Sequence, residues 1–121
     1  MRKFQYLGCS GATASNILKD QVELLKDPQM VTLSAGGNDA MLSNVLNSCV
    51  FQWFTSILND CDKTLQRAKD TNNGETFSKD LTALANGIQG KMSHPHRRIY
   101  WVAYAKFFGE IRPTPFLACG R

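Results

Sequence analysis

Long hydrophobic runs are absent from this sequence of 121 residues. No apolar stretch approaches the ~18 residues that a helix needs to cross a bilayer, which excludes a transmembrane helix. A basic start at residues 1–3 precedes about four apolar residues interrupted by Gln5, whereas a signal peptide needs at least ~7. The segment therefore predicts no targeting function, and localisation stays open. For an exported parent protein, we expect the signal to lie outside this chain.

Charge of one sign, histidine and cofactor motifs are also scarce. Fourteen Lys and Arg against ten Asp and Glu give a net charge of +4. The basic residues are spread along the chain, so we expect no nucleic-acid partner. The two histidines, His94 and His96, have no acidic or thiol residues nearby in sequence, and we predict no metal site. Without a Gly-x-Gly-x-x-Gly turn there is no dinucleotide site, and we expect no cofactor.

Short apolar runs predict the strands of a single globular domain over residues 1–121. Hydrophobic residues make up 43% and charged residues 20% of the chain, which is ordinary for a globular protein. Residues 4–9 and 30–35 are short and apolar and are bounded by turn residues. Residues 99–104 are rich in β-branched and aromatic side chains and give the strongest strand signal. We therefore predict three buried strands.

Helical periodicity occupies the segments between these strands. Apolar residues recur at helical spacing in residues 14–25, 42–58 and 77–92, which predicts three helices. Polar residues dominate residues 59–75, and no periodicity is seen in the tail, residues 110–121, which we predict to be irregular. The order is strand, helix, strand, helix, helix, strand, with strands apolar on both faces. It predicts an α/β fold with a parallel sheet in a three-layer α/β/α arrangement.

Two glycine-rich turns follow the first two predicted strands. Residues 8–13 read Gly-Cys-Ser-Gly-Ala-Thr, and residues 34–39 read Ser-Ala-Gly-Gly-Asn-Asp. Ligands of open parallel sheets bind beyond the carboxyl ends of the strands. Both turns place free backbone N–H groups at the start of a helix, which suits the stabilisation of an anion. The simpler alternative is that these glycines only close tight strand-to-helix turns.

The glycine turns carry a family resemblance. Residues 36–39, Gly-Gly-Asn-Asp, resemble the GGND block of SGNH (GDSL-type) esterases and lipases, and residues 9–13 resemble the family's preceding glycine block. Residues 99–108 are similar to the strand that follows in secreted fungal and actinomycete members. The resemblance covers about residues 4–110. It implies the flavodoxin-like SGNH hydrolase fold, here incomplete, and a secreted parent protein that hydrolyses carboxylic esters.

The resemblance also implies roles for individual residues. Gly11 would offer its backbone N–H, and Asn38 its side-chain amide, to the oxyanion of a tetrahedral ester intermediate. A fixed donor of this kind contributes about 3 kcal/mol to transition-state stabilisation. Asp39 would hold the turn by accepting free N–H groups at a helix start. The substrate would be a small-molecule ester, such as a lipid or an acylated sugar, attacked by a serine that forms an acyl-enzyme.

The sequence departs from the family where the nucleophile and the base are expected. It contains no Gly-Asp-Ser block, and the residues three positions before His94 and His96 are Lys91 and Ser93 instead of Asp. The chain thus resembles the middle of an SGNH hydrolase and would be weakly active or inactive by itself. The alternative is a non-catalytic protein that binds a small anion or a carbohydrate on the same scaffold.

A rival interpretation uses Ser10 as the nucleophile. Ser10 lies in a predicted strand-to-helix turn, and Ser10, Asp39 and His94 follow the chain order of an α/β-hydrolase triad. However, Ala12 stands where the second glycine of the nucleophile elbow belongs, and both histidines precede the last strand. The simpler role of Ser10 is a hydroxyl that caps the turn.

The cysteines and the incomplete sheet predict two further properties. Two disulfides among Cys9, Cys49, Cys61 and Cys119 can pair in three ways. A bridge between Cys49 and Cys61 is consistent with their positions around the end of the long helix and with the disulfides common in secreted family members. In a reducing compartment all four would be core thiols. A missing central strand would expose apolar edges, which predicts self-association.

Overall fold

The computed structural model describes residues 4–51 and 60–104. In these ranges no helix is long and apolar enough to cross a membrane. The first helical segment begins as α1 and continues as a π-helical and a 3-10 turn, and the segment that begins as α2 also continues as a π-helix. In chain order the elements are α1 (Ala14–Asn16), its continuations Ile17–Gln21 and Val22–Leu24, β1 (Met30–Leu33), α2 (Leu42–Val45), its continuation Leu46–Phe51, α3 (Cys61–Asn72), α4 (Glu75–Gly90) and β2 (Arg98–Trp101).

The two strands form a parallel sheet. Met30 pairs with Arg98 at one end of the ladder, and Leu33 pairs with Trp101 at the other. The backbone N–H of Val102 donates to the Leu33 carbonyl at 2.9 Å and extends the ladder beyond β2. The predicted strands at 30–35 and 99–104 are therefore confirmed. A mixture of helices with a small parallel sheet is compatible with the predicted α/β class.

The core lies between one face of this sheet and the first and fourth helices. Leu84 and Ile88 of α4 are its largest fully buried side chains. Val31 of β1 and Ile99 of β2 pack against it from the sheet. On the opposite face Tyr100 is 50% exposed. Among the described residues the helices cover one face of the sheet, so a helical layer on the second face stays a prediction.

Helix α4 confirms the helix predicted over residues 77–92. Its interior glycine, Gly87, is expected to weaken a helix because glycine loses more backbone entropy than other residues. The structure gives a packing reason for it. A Cβ atom at Gly87 would overlap the side chain of Leu18, which lies directly against the α4 backbone. Glycine thus permits the close approach of the first helical segment to α4.

Helix α3 was not among the predicted elements, since residues 59–75 are mostly polar. Asp60 caps it by accepting the Lys63 N–H at 3.2 Å, and the Lys63 ammonium lies 2.8 Å from the same carboxylate. Ala68 is the buried residue of α3, so its apolar stripe is too narrow to produce a clear period. The aspartate at its N-cap, Asp60, is the local sequence signal from which the start of this helix could have been found.

The strand predicted at residues 4–9 is wrong. This segment is irregular, and Phe4 and Tyr6 are 90% and 78% exposed. The side-chain amide of Gln5 connects this segment to the first helical segment by donating to the Leu24 carbonyl at 2.9 Å. A strand requires a neighbour for its ladder hydrogen bonds, and in the described part of the chain β1 and β2 pair only with each other.

Two predicted segments extend beyond the described residues. The helix predicted over residues 42–58 is observed as α2 with its π-helical continuation to Phe51, and residues 52–59 lie outside the description. The predicted irregular tail at 110–121 also lies outside it.

Asp27 links the two loops that lead into the strands. Its carboxylate accepts the backbone N–H and the hydroxyl hydrogen of Ser93, both at 2.7 Å. These two hydrogen bonds, together with the nearby His94, hold the pKa of Asp27 below its ordinary value. Asp27 has a φ of 45°, an unusual conformation for a residue with a side chain.

We predict that the stability contributed by Asp27 is lost in acid. A carboxylate whose pKa is lowered by folding stabilises the protein above its unfolded pKa, and this contribution disappears as pH falls through the folded pKa. The free energy of unfolding should therefore decrease as pH falls through the ordinary pKa of aspartate, about 4, and below it. Asp27→Asn should flatten this dependence in urea titrations. Asp62→Asn, a change at an exposed residue of α3, is the control, and an equal flattening in it would contradict the assignment.

Candidate functional site

The structure brings the two glycine-rich turns together at the carboxyl end of β1. The side-chain amide of Asn38 donates to the carbonyl of Ala12 at 3.0 Å. The carboxylate of Asp39 accepts the backbone N–H of Ala14, with its two oxygens at 3.0 and 3.1 Å. Ala14 is the first residue of α1, so Asp39 satisfies a free N–H at a helix start. It does so for α1 and not for the helix that follows its own turn.

The second turn has a backbone that glycine makes possible. Gly36 has a φ of 104°, which is accessible to glycine and strained for other residues. Its carbonyl accepts the N–H of Ala40 at 2.9 Å, and the carbonyl of Gly37 accepts the N–H of Leu42 at 2.9 Å. A Cβ atom at Gly37 would collide with the ring of Tyr104. These restraints fix the direction in which the intervening Asn38 side chain leaves the turn.

Both proposed oxyanion donors keep a free N–H. Gly11 is exposed, has a φ of 78°, and has open space on the side where a Cβ would project. Among the described residues its N–H has no acceptor. Asn38 uses one amide hydrogen for the Ala12 carbonyl, and its second hydrogen stays available because the amide nitrogen carries two. Gly11 is adjacent to Ala12, so the two donors lie at one end of the sheet. Their oxyanion role stays a prediction.

The residues of the rival triad are not assembled. Ser10 is exposed in the first turn, and its hydroxyl has no hydrogen-bond partner in the described ranges. Asp39 is held by Ala14. His94 lies in the loop that precedes β2, beside Ser93 and its partner Asp27, at the amino ends of the strands. The structure therefore places His94 at the opposite end of the sheet from Ser10 and Asp39.

The two histidines contact each other rather than forming part of a ligand cluster. The His94 Nδ1 atom accepts the backbone N–H of His96 at 3.2 Å, and the ring centroids are 5.9 Å apart. Across residues 4–51 and 60–104, no group of three or more His, Cys, Asp or Glu side chains is arranged to hold a metal ion. The part of the chain that the structure describes thus contains no such metal-binding cluster.

Two grooves lie on either side of the second turn. One, the polar groove, has a volume of about 460 Å³ and carries several polar side chains on a surface that is more apolar than polar. The other, the apolar groove, has a volume of about 400 Å³ and a strongly apolar surface. Phe77 of α4 lines both grooves. The polar groove also contains Thr13, Asp39, Thr71, Thr76 and Asp80. The apolar groove also contains Gly36, Leu42, Val45, Trp101 and Tyr104.

The groove residues were missed by sequence reasoning. Thr76 and Asp80 belong to α4, whereas Trp101 lies in β2, so only the tertiary fold brings them to the Gly-Gly-Asn-Asp turn. Trp101 lies in the strand predicted over residues 99–104, and its indole N–H donates to the Ala35 carbonyl at 3.3 Å, directly before that turn. Polar residues on the exposed side of an amphipathic helix, such as Thr76 and Asp80, follow the same pattern whether they bind a ligand or only contact solvent. Periodicity therefore does not identify them.

Comparison with known proteins indicates a lipase- or esterase-like relationship. No protein-family profile matches the chain, and no solved structure matches it. Among curated proteins, the chain is similar to Lipase 1 of Streptomyces coelicolor, with 27% identity over 106 residues. The aligned region covers 87% of this chain and 37% of that lipase. The chain therefore spans little more than a third of the length of the curated relative it matches.

Proposed function

We propose that this chain forms the oxyanion-binding part of an SGNH-type carboxylester hydrolase with a three-layer α/β/α fold. The proposal is carried by the hydrogen bond from Asn38 to Ala12, which holds the two glycine turns together and leaves a free N–H on Asn38 and on Gly11. The similarity to a lipase supports the same class of reaction. The SGNH assignment rests on the Gly-Gly-Asn-Asp turn and the preceding glycine block.

The chemistry requires donors at this place. When a base takes the proton of a serine hydroxyl and its Oγ forms a bond to the ester carbonyl carbon, the π electrons of the carbonyl move to its oxygen, which becomes an anion. The N–H groups of Gly11 and Asn38 would stabilise this anion. The intermediate then collapses, the C–O bond to the alcohol breaks, and the protonated base gives its proton to the departing alcohol; water, activated by the same base, releases the acid from the acyl-enzyme. The serine and its base would belong to a part of the parent protein outside these 121 residues.

Pre-organisation is the physical advantage of this arrangement. The donors stabilise charge most when they need no reorganisation during the reaction. Asn38 is restrained at its side chain by the Ala12 carbonyl and at its backbone by the Met41 N–H, which donates to its carbonyl at 3.2 Å. Asp39 further restrains the position of Asn38 through the N–H of Ala14. An anion approaching this end of the sheet would therefore meet a restrained amide dipole at Asn38.

Titration with butylphosphonate, a tetrahedral anion with an alkyl group, tests the donors by NMR. We expect the backbone N–H of Gly11 and the side-chain amide of Asn38 to shift on binding, and Asn38→Ala to weaken the affinity about tenfold, as for a hydrogen bond to a charged group. Asn47→Ala, at an exposed asparagine, is the matched control. Absence of both shifts at saturating phosphonate would contradict the proposal.

Two further measurements separate the alternatives. A simple anion site should bind inorganic phosphate as well as butylphosphonate, whereas an ester site beside an apolar groove should prefer the alkyl compound. A fluorophosphonate probe, read by intact mass and peptide mapping, should leave Ser10 unmodified. An adduct on Ser10 would assign the nucleophile to this chain and overturn the view that the serine lies elsewhere.

A further inference from the structure

Three aromatic side chains converge on the backbone at residues 35–37, where β1 leads into the Gly-Gly-Asn-Asp turn. They come from separate parts of the chain: Phe77 from α4, Trp101 from β2, and Tyr104 from the segment that follows β2. The indole N–H of Trp101 donates to the Ala35 carbonyl at 3.3 Å, which holds this ring beside the backbone. All three rings line the apolar groove. The groove therefore has aromatic walls that only the tertiary fold assembles.

The two glycines of the turn permit this convergence. A Cβ atom at Gly36 would lie 3.5 Å from the tip of the Phe77 ring, so this ring is in contact with the turn. A Cβ atom at Gly37 would lie only 2.9 Å from the hydroxyl oxygen of Tyr104, closer than nonbonded atoms pack. The hydroxyl end of the Tyr104 ring thus lies against Gly37, which itself lines the groove. Glycine at this position makes room for a phenol group.

The apolar groove is uncharged but retains two hydrogen-bonding side chains. None of the described residues that line it is acidic or basic. The Tyr104 hydroxyl and the Asn72 side-chain amide belong to its lining, and neither forms a hydrogen bond with the residues that the structure describes. A phenol hydroxyl can donate and accept, and an amide offers both a carbonyl oxygen and N–H groups. The groove can therefore satisfy a hydroxyl group of a ligand without using a charge.

These properties favour a neutral aromatic ligand over other classes. A charged ligand would lose its hydration without gaining an ion pair in the groove. An alkyl chain would bury apolar surface but would leave Tyr104 and Asn72 unpaired. A ring in offset or edge-to-face contact with Phe77 or Trp101 adds attraction beyond the buried area, worth about two- to tenfold in affinity. The volume of about 400 Å³ lies within the range of small-molecule sites.

We propose that the apolar groove is a binding site for an uncharged aromatic compound that carries a hydroxyl group. The ring of this compound packs against Phe77 and Trp101, and its hydroxyl group bonds to Tyr104 and Asn72. The two proposed oxyanion donors do not line this groove. Binding there therefore depends neither on ester hydrolysis nor on a nucleophile, and it adds a ligand to the function proposed above.

Binding of β-naphthol, an uncharged phenol with two fused rings, tests the proposal by NMR. We expect it to shift the indole N–H signal of Trp101 and the side-chain amide signals of Asn72. Its saturated analogue, decahydro-β-naphthol, should bind about two- to tenfold more weakly, because it has the hydroxyl group without the aromatic rings. The anion β-naphthoate has the same rings with a charge, and it should also bind more weakly than β-naphthol.

Tyr104→Phe tests the hydrogen bond and keeps the ring. We expect about fivefold weaker binding of β-naphthol, as for a hydrogen bond between neutral groups, and unchanged binding of naphthalene, which has no hydroxyl group. Tyr100→Phe is the matched control, because it removes the same hydroxyl from a tyrosine of β2 that is 50% exposed and lies outside the groove. It should leave the affinity for both compounds unchanged.

Each contrary result overturns the proposal in a different way. Equal affinities for β-naphthol and its saturated analogue, unaffected by Tyr104→Phe, would show a general apolar surface. Tighter binding of β-naphthoate than of β-naphthol would show an anion site. A Trp101 signal that changes on dilution without ligand would assign the groove to a contact between two copies of the chain. Unchanged Trp101 and Asn72 signals at saturating β-naphthol would show that the groove does not bind such a compound.

Discussion

Leu84→Ala is expected to lower the free energy of unfolding by about 3 kcal/mol. Leu84 is fully buried in α4, in the core cluster that includes Ala14 and Val22 of the first helical segment and Ile88 of α4. Removing its branched side chain loses the transfer free energy of three carbon atoms and leaves a cavity, which together cost about 2–5 kcal/mol. Denaturation in urea, followed by circular dichroism, measures the change.

The core makes this substitution especially informative. Leu84 and Ile88 are the largest fully buried side chains in the described ranges, so Leu84→Ala removes one of the two largest contributions to the core. Leu24→Ala removes the same atoms from a side chain that is 55% exposed and is the matched control. We expect a loss of less than about 1 kcal/mol there, because little apolar surface is returned to water. Equal losses in the two variants would contradict the position of the core.

The elements predictable from sequence are those whose signal is local. The helix at Glu75–Gly90 has apolar residues at helical spacing, and the strands at Met30–Leu33 and Arg98–Trp101 are short apolar runs. Residues 4–9 have the composition of a strand, but a strand depends on a partner that composition cannot supply. Helix Cys61–Asn72 was not predictable from periodicity, because it has an Asp60 cap and a narrow apolar stripe instead of a broad hydrophobic face.

The residues of the candidate site also fall into two groups, those marked by a local motif and those that only the tertiary fold brings to the site. Gly36 and Asn38 could be singled out because glycine and asparagine in this order after a strand form a local motif. The hydrogen bond from Asn38 to Ala12 joins residues 26 positions apart, and a sequence of one protein does not encode such a contact in any local pattern. Asp80 and Trp101 lie still farther from the motif along the chain. Their place in the grooves follows from the packing of α4 and β2.

The disulfide between Cys49 and Cys61 is a contact between separate elements that could be predicted from the sequence. Cys49 and Cys61 form a disulfide with their Cα atoms 4.9 Å apart, which confirms the predicted bridge. It joins the π-helical segment Leu46–Phe51 to the first residue of α3. Cys9 is an exposed free thiol, and Cys119 lies outside the described residues. A disulfide forms and persists in oxidising compartments, so the bridge is compatible with a secreted protein without establishing its localisation.

Replacing both Cys49 and Cys61 by serine is expected to lower the free energy of unfolding by about 3 kcal/mol. The bridge closes a short loop, with a sequence separation of 12, and removing a crosslink of this size restores conformational entropy to the unfolded chain. The double variant avoids an unpaired thiol. Because the bridge is attached to the first residue of α3, we expect a lower unfolding midpoint in urea and loss of α3 before the rest of the fold. Urea denaturation with and without reductant measures the effect.

Cys9→Ser is the control for the disulfide prediction, because Cys9 is exposed and unpaired. It should leave the unfolding midpoint unchanged and keep its sensitivity to reductant, whereas the double variant should lose that sensitivity. Peptide mapping without reduction should recover residues 49 and 61 in one linked peptide. Four alkylated thiols in the unreduced protein would show that the bridge is absent in solution. The link between the second helical segment and α3 would then depend on noncovalent contacts such as the hydrogen bond from Thr64 to Ser48 at 3.4 Å.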